Sequence, residues 1–234
     1  MILLHGWSAS AEMWQGLMQN LSRDHQVFAL DCRGHGRSDK PHDPAQYGIA
    51  MVNDVLQLMD TVRVKQAHII GYSMGGSIVL KMLETHPERF LSAVIGGSTG
   101  FRPGQDLWDS TLVKDLAGGM PLSEAMIVNR PSGMPAPSEA QRDMMRQMDA
   151  AQDSRALAAQ RQGNSGLFIT DEPFKTNRVP VLMIYGSLDS PERFVALKAI
   201  FANATFVEVS GTGHGSTPDS PAFVAAVRDF LARH

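Results

Sequence analysis

The sequence predicts an α/β fold: a doubly wound, mostly parallel sheet of about six strands, with a helical segment inserted into it. Two features support this prediction. Short apolar runs alternate with longer amphipathic segments, which is the pattern of parallel strands joined by helical crossovers. The chain also has 234 residues, which is enough to bury a substantial core.

Six short and mostly apolar runs predict the strands. They are residues 2–4, 26–31, 67–70, 91–95, 181–185 and 205–209. Amphipathic segments predict helices at residues 11–21, 47–62, 74–85, 192–201 and 221–233. Strands as apolar as these are buried on both faces of a parallel sheet, so we expect helices on both sides of it.

One region, residues 101–175, breaks the alternation of strands and helices. It contains no strand-like run, and Ser138 with Gln141 has the spacing of a capping box at the start of a helix. We predict that this region forms a helical cap, and that residues 1–100 and 176–234 form the core domain. The cap is rich in methionine, whose flexible side chain suits a surface that fits varied apolar ligands.

Composition and charge limit the possible partners. The 21 Lys and Arg residues against 24 Asp and Glu residues leave a net charge of −3, which provides no basic field for nucleic acid or an anionic membrane. The single cysteine, Cys32, excludes an intramolecular disulfide, and the histidines lack the spacing of a zinc site. No apolar run approaches the roughly 20 residues of a membrane span. We expect a cytoplasmic protein without metal, cofactor, nucleic-acid partner or membrane partner.

The main chemical motif is Gly71-Tyr72-Ser73-Met74-Gly75, which lies between a predicted strand and a predicted helix. A Gly-x-Ser-x-Gly sequence in this context is typical of a nucleophilic serine on a sharp turn. The turn forces strained backbone at the serine, and the two glycines leave room for neighbouring chain. Ser73 is therefore the candidate nucleophile.

A nucleophilic serine needs a base and an acid that orients the base, and both follow in the expected order. Asp189 follows the strand at 181–185, and His214 follows the strand at 205–209 within a glycine-rich loop. The carboxyl ends of parallel strands meet at one edge of the sheet. We therefore predict that Ser73, Asp189 and His214 form a catalytic triad.

The first strand opens into His5-Gly6-Trp7. A glycine here lets the backbone turn toward the serine. We predict that the backbone N–H groups of Trp7 and Met74 form an oxyanion hole, which stabilises the negative charge that develops on a carbonyl oxygen.

These motifs resemble those of the alpha/beta-hydrolase superfamily, and most of all its small-molecule carboxylesterase branch. The resemblance is carried by His5-Gly6-Trp7, DCRGHGRSD at 31–39, GYSMGG at 71–76, HPER at 86–89, GSLD at 186–189 and Gly213-His214. It implies a helical cap inserted after the sixth strand of the family fold, where residues 101–175 fall. Haloalkane dehalogenases and epoxide hydrolases carry Asp at the nucleophile position, so Ser73 favours acyl transfer.

The chain departs from the family at its beginning, because family members usually have two further strands before the one that ends in His-Gly. If the family strand order holds, the strand at 26–31 presents an open edge, which invites pairing with another chain. We expect either a homodimer through this edge or a native start upstream of Met1.

The predicted function is hydrolysis of small to medium carboxylic esters through an acyl-enzyme intermediate, with uncharged esters favoured by the apolar cap. A small-molecule ester is the expected partner. Thioesterase, lactonase, perhydrolase and carbon–carbon hydrolase activities use the same triad, and a non-catalytic ligand-binding relative is a further alternative. The shape of the cap decides among the enzymes, and turnover separates them from the binding protein.

Overall fold

The computed structural model describes residues 1–104, 110–130, 133, 135–201 and 203–234. It contains the six predicted strands, all in a single parallel sheet, which confirms the predicted fold class. The strands are β1 (Ile2–Leu4), β2 (Phe28–Leu30), β3 (Ala67–Tyr72), β4 (Phe90–Gly96), β5 (Val181–Gly186) and β6 (Ala204–Val209).

The strand order across the sheet is β2-β1-β3-β4-β5-β6. The chain therefore starts inside the sheet at β1, moves outward to β2, and returns to β3 on the other side of β1. In open α/β sheets, ligands bind beyond the carboxyl ends of the strands where the winding direction changes. This places the expected site at the ends of β1 and β3.

Helices cover both faces of the sheet, as predicted. They are α1 (Gln15–Leu21), α2 (Ile49–Thr61), α3 (Met74–Thr85), α4 (Ser110–Ala117), α5 (Leu122–Val128), α6 (Glu139–Asp149), α7 (Ser154–Gly163), α8 (Glu172–Lys175), α9 (Pro191–Leu197) and α10 (Pro221–Leu231). Helices α1 and α10 pack in one apolar core, whereas α2, α3 and α9 pack in the core on the opposite face.

The five helices α4 to α8 lie between β4 and β5, within the predicted cap. Helices α4, α5 and α7 share a small core of their own, which includes Leu116, Leu122 and Leu157. The predicted capping box is confirmed, since Ser138 and Gln141 exchange hydrogen bonds at the start of α6. Positions 105–109, 131, 132 and 134 of the cap lie outside the described residues. The assignment of residues 101–175 as a cap stays a prediction.

Strand β2 lies at one edge of the sheet, as expected from the sequence. Its three residues are only partly buried, and no described strand pairs with its outer side. A homodimer through this edge stays a prediction. None of the described helices has the length and apolar character of a membrane span.

A buried methionine and an exposed one test the packing of the core. Met59 in α2 is fully buried, whereas the side chain of Met144 in α6 is 63% exposed. We predict that Met59→Ala lowers the free energy of unfolding by about 2–5 kcal/mol, because it leaves a cavity. The same substitution at Met144 should change it by less than about 0.5 kcal/mol. Urea unfolding measures both, and equal effects would contradict the packing described.

Candidate active site

The turn between β3 and α3 consists of a single residue, Ser73. Its backbone angles are φ 53° and ψ −111°, a region that residues other than glycine rarely adopt. Such a conformation costs about 1–3 kcal/mol and persists only where its surroundings enforce it. The predicted strain at the serine is therefore present.

The two glycines of the motif allow this turn. A methyl group at Gly71 would lie 2.3 Å from the carbonyl oxygen of Gly75. A methyl group at Gly75 would lie 2.2 Å from the carbonyl oxygen of Leu4, at the end of β1. Helix α3 thus begins in direct contact with the neighbouring strand, and only glycine fits at the contact.

The structure brings Ser73, His214 and Asp189 together in one chain of hydrogen bonds. His214 Nδ1 lies 2.7 Å from Asp189 Oδ2, and His214 Nε2 lies 2.9 Å from Ser73 Oγ. A carboxylate only accepts hydrogen bonds, so Nδ1 of the neutral ring carries the proton and Nε2 accepts from the serine hydroxyl. The imidazole of His214 is about half exposed.

A backbone hydrogen bond joins the loops that carry Asp189 and His214. The amide of Leu188 donates to the carbonyl oxygen of Thr212 at 3.0 Å. A methyl group at Gly186 would lie 2.2 Å from the same oxygen, so the loops could not approach as closely with any other residue there. The separation of acid and base is therefore set by backbone contacts.

Tyr72, at the position that the Gly-x-Ser-x-Gly motif leaves unspecified before the serine, supports the loop that carries His214. Its hydroxyl donates to the backbone oxygen of His214 at 2.5 Å, and its ring packs edge-on against Phe223 of α10. Burial raises the pKa of Tyr72, so the hydroxyl keeps the proton that it donates. Sequence reasoning missed this role, because Tyr72 occupies a position that the motif leaves open.

The predicted oxyanion donors lie beside the serine. A methyl group at Gly6 would lie 3.5 Å from Cβ of Ser73, and both Trp7 and Met74 line the cavity that contains Ser73. Met74 is the first residue of α3, so its N–H has no partner inside the helix. No hydrogen bond between the described residues outside helices and strands uses the N–H of Trp7 or Met74.

His5 shapes the loop that presents Trp7. The ring is completely buried, with Nδ1 2.7 Å from the Gly6 carbonyl oxygen and Nε2 accepting from the Cys32 amide at 3.0 Å. Nδ1 must therefore donate, and the ring satisfies both contacts in its neutral form. Burial lowers the pKa of His5, which favours this form. Burial also raises the pKa of the Cys32 thiol to about 12, so this cysteine is an inert part of the core.

A cavity of about 250 Å³ opens beside Ser73 and His214. The insertion contributes Gln160, Arg161 and Asn164 to its wall, and α9 contributes Arg193. Among the described residues, the methionines of the insertion do not line this cavity, and a ligand surface formed by the methionine-rich segment stays a prediction. The wall combines apolar residues, among them Trp7 and Phe101, with polar residues from separate parts of the chain.

No group of three or more His, Cys, Asp or Glu side chains in the described part of the chain is arranged to hold a metal ion. The groups available for chemistry at this site are the Ser73 hydroxyl, the His214 imidazole and the backbone N–H groups of Trp7 and Met74.

A serine on a strand-to-helix turn, with histidine and aspartate on later loops at the same sheet edge, is an arrangement typical of hydrolases. The family model described as alpha/beta hydrolase fold matches residues 1–221. The chain therefore belongs to the alpha/beta hydrolase family.

Individual relatives agree with this assignment. The pimeloyl-[acyl-carrier protein] methyl ester esterase of Aeromonas hydrophila is 27% identical over 203 residues, which cover 81% of this chain and 77% of that protein. A fluoroacetate dehalogenase from a Burkholderia species is 33% identical, but over only 41% of this chain and 33% of that protein.

Among solved structures, a study of carboxylesterases from the archaeon Nitrososphaera gargenis provides a chain that superposes with a TM-score of 0.83. The superposition covers 99% of this chain and 89% of that chain, at 18% sequence identity. At this identity the likeness concerns the fold.

The contact between α3 and β1 can be tested with two glycines that both lie in helices. Gly75 meets the backbone of Leu4, whereas a methyl group at Gly16 in α1 would meet nothing within 4 Å. We predict that Gly75→Ala lowers the free energy of unfolding by at least about 1–3 kcal/mol through overpacking. Gly16→Ala should raise it by up to about 1 kcal/mol, because alanine favours helix. Thermal unfolding of the two variants compares them directly, and a stabilising Gly75→Ala would refute the contact.

Proposed function

We propose that the protein is a serine hydrolase of the carboxylesterase type, which cleaves small carboxylic esters through an acyl-enzyme intermediate. The observation that carries the proposal is the continuous hydrogen-bonded chain from Asp189 Oδ2 through His214 to Ser73 Oγ, with distances of 2.7 and 2.9 Å. These distances lie within the range that general-base catalysis requires.

In the first step, Ser73 Oγ attacks the carbonyl carbon of the ester while its proton passes to His214 Nε2. The ring then carries a positive charge, which the carboxylate of Asp189 stabilises through Nδ1. Collapse of the tetrahedral intermediate breaks the bond to the leaving oxygen. His214 returns its proton to that oxygen, and the alcohol departs.

In the second step, water takes the place of the alcohol. His214 removes a proton from the water, and the resulting hydroxide adds to the acyl carbon. The second tetrahedral intermediate expels Ser73 Oγ, which recovers its proton from His214. The products are a carboxylic acid, the alcohol and the original enzyme.

The N–H groups of Trp7 and Met74 act as the oxyanion donors in both steps. The core fixes the backbone at both donors. Trp7 lies two residues after His5, whose buried ring contacts the backbone of Gly6 and Cys32, and Met74 is the first residue of α3. Donors that are fixed before the reaction need no reorganisation as charge develops, and one such donor contributes about 3 kcal/mol in comparable sites.

Helices α4 to α8 act as a cap in this proposal. Gln160, Arg161 and Asn164, at the end of α7 and just beyond it, close one side of the cavity next to Ser73. Exclusion of water there strengthens the interactions of the reacting groups. The cap thereby selects substrates by size and charge.

The direct test is hydrolysis of p-nitrophenyl esters by the wild type and Ser73→Ala. We expect a burst of p-nitrophenol equal to the enzyme concentration, followed by steady turnover, in the wild type. The substitution should remove the burst and lower kcat by about 10⁴–10⁶-fold. Turnover that persists in a folded Ser73→Ala variant would contradict the proposal, and a wild type inactive on all esters would favour a ligand-binding protein.

The role of the acid has its own test. We predict that Asp189→Asn lowers kcat by about 10⁴-fold, because the amide favours the wrong tautomer of His214. The control is Asp24→Asn, which removes a carboxylate that pairs with Arg228 on the surface. Control and wild type should have equal kcat, and an active Asp189→Asn variant would exclude the proposed role.

Cavity size predicts the preferred acyl chain. A volume of about 250 Å³ corresponds to about eight water-sized volumes of 30 Å³, and hence to an acyl group of about eight non-hydrogen atoms. In a series from acetate to octanoate, kcat/KM should be highest at hexanoate, whose acyl group has about seven non-hydrogen atoms, and lower at octanoate, whose acyl group has about nine. A steady rise to octanoate would show that the acyl chain lies outside this cavity.

A further inference from the structure

Two arginines from distant parts of the chain line the cavity beside Ser73. Arg161 comes from α7 and Arg193 from α9, and the described residues that line the cavity include no Asp or Glu. A small cavity with two guanidinium groups in its wall has a positive electrostatic potential. Such a cavity favours an anionic ligand over a neutral one of the same shape.

Arg161 is the inner of these two groups. Its side chain is 9% exposed, and its guanidinium carbon lies 3.7 Å from the centre of the Trp7 ring. Stacking uses the face of the guanidinium, whereas its N–H donors point outward in its own plane, in the fork that matches a carboxylate. Burial lowers the pKa of Arg161 to about 9, so the group stays charged at neutral pH.

Arg193 is exposed and lies at the rim of the cavity. One of its terminal nitrogens donates to Thr99 Oγ1 at 3.2 Å, which holds the side chain toward the cavity. Its position suits the attraction of an anion from solution, because rim charges act mainly on the rate of association.

Gln160 is a third polar group in the wall of the cavity. Gln160 is completely buried, and its Nε2 donates to Asn164 Oδ1 at 2.7 Å. Its Oε1 has no hydrogen-bond partner among the described residues. This oxygen accepts hydrogen bonds, as a carboxylate does, so it does not bind the anion itself; a water that donates to both groups would satisfy it.

We propose that this cavity binds a carboxylate of the substrate, so that the natural substrate is a half-ester of a short dicarboxylic acid, with its free carboxylate on Arg161. The inference rests on the proposed function and narrows its substrate class from neutral to anionic esters. The size of the cavity fits, because a glutaryl group has about eight non-hydrogen atoms, the number expected for about 250 Å³.

The test compares two substrates of equal shape and different charge: monomethyl glutarate, and methyl 5-amino-5-oxopentanoate, in which an amide replaces the carboxylate. The readout is the ratio of their kcat/KM values, which cancels any general effect on catalysis. We expect the wild type to prefer the anion by at least about tenfold, since a buried charge-assisted pair is strong.

Matched variants test whether Arg161 causes the preference for the anionic substrate. Arg161→Gln should reduce the ratio to about one, and Arg161→Lys should keep part of it, because lysine retains the charge but not the planar fork. Arg228→Gln is the control: it removes the same charge on the far surface, where Arg228 contacts Asn20 and Asp24, and should keep the full ratio.

Each outcome decides the inference. A wild-type ratio near one, with Ser73-dependent hydrolysis of p-nitrophenyl butyrate intact, would overturn the carboxylate site and leave the proposed function standing. A high ratio that persists in Arg161→Gln would also overturn it. If no ester is hydrolysed, the proposed function fails, and calorimetry then tests the carboxylate site by comparing the binding of glutaramate and glutaramide. Binding of the anion alone, lost in Arg161→Gln, supports the site. Any other result refutes it.

Discussion

The close contact between the start of α3 and the end of β1 is the constraint on which the site depends. It leaves no space for a side chain at Gly71 or Gly75, and it holds Ser73 at φ 53°. The same contact brings the Gly6 backbone next to Ser73. One packing requirement therefore positions the nucleophile and both proposed oxyanion donors. The strained conformation of the serine costs about 1–3 kcal/mol and persists because the surrounding core enforces it.

The remaining groups reach the serine because every strand of the sheet is parallel. The loops after β5 and β6 end at the same edge as the turn after β3, and contacts such as Leu188 to Thr212 join these two loops. Tyr72 connects them to the core beneath, since its hydroxyl supports His214 while its ring packs on Phe223. The histidine can stay half exposed and still keep its geometry, because the support comes from its backbone rather than from burial of its ring.

Sequence reasoning predicted the parts of this site that are encoded locally. Ser73, Asp189 and His214 each follow a short apolar strand, and glycines mark each turn. The apolar runs and the glycines are therefore sufficient to predict these three residues from the sequence. Strand ends shifted by one or two residues, as at β2, because an edge strand is shorter than its apolar run. The lining of the cavity could not be predicted. Arg161 and Arg193 lie on separate helices, and only tertiary packing places them in one cavity, which is the basis for proposing an anionic ester rather than an uncharged one.

The Ser73 hydroxyl, on the turn after β3, is the proposed nucleophile of the site. Labelling with a p-nitrophenyl alkylphosphonate, followed by peptide mass spectrometry, tests this role, because the reagent traps a nucleophilic serine without any assumption about the natural substrate. We expect one phosphonyl group per chain, on the peptide that contains Ser73, and no label on the Ser73→Ala variant or on the unfolded protein. Label on a different residue, or equal labelling of the folded variant, would contradict it.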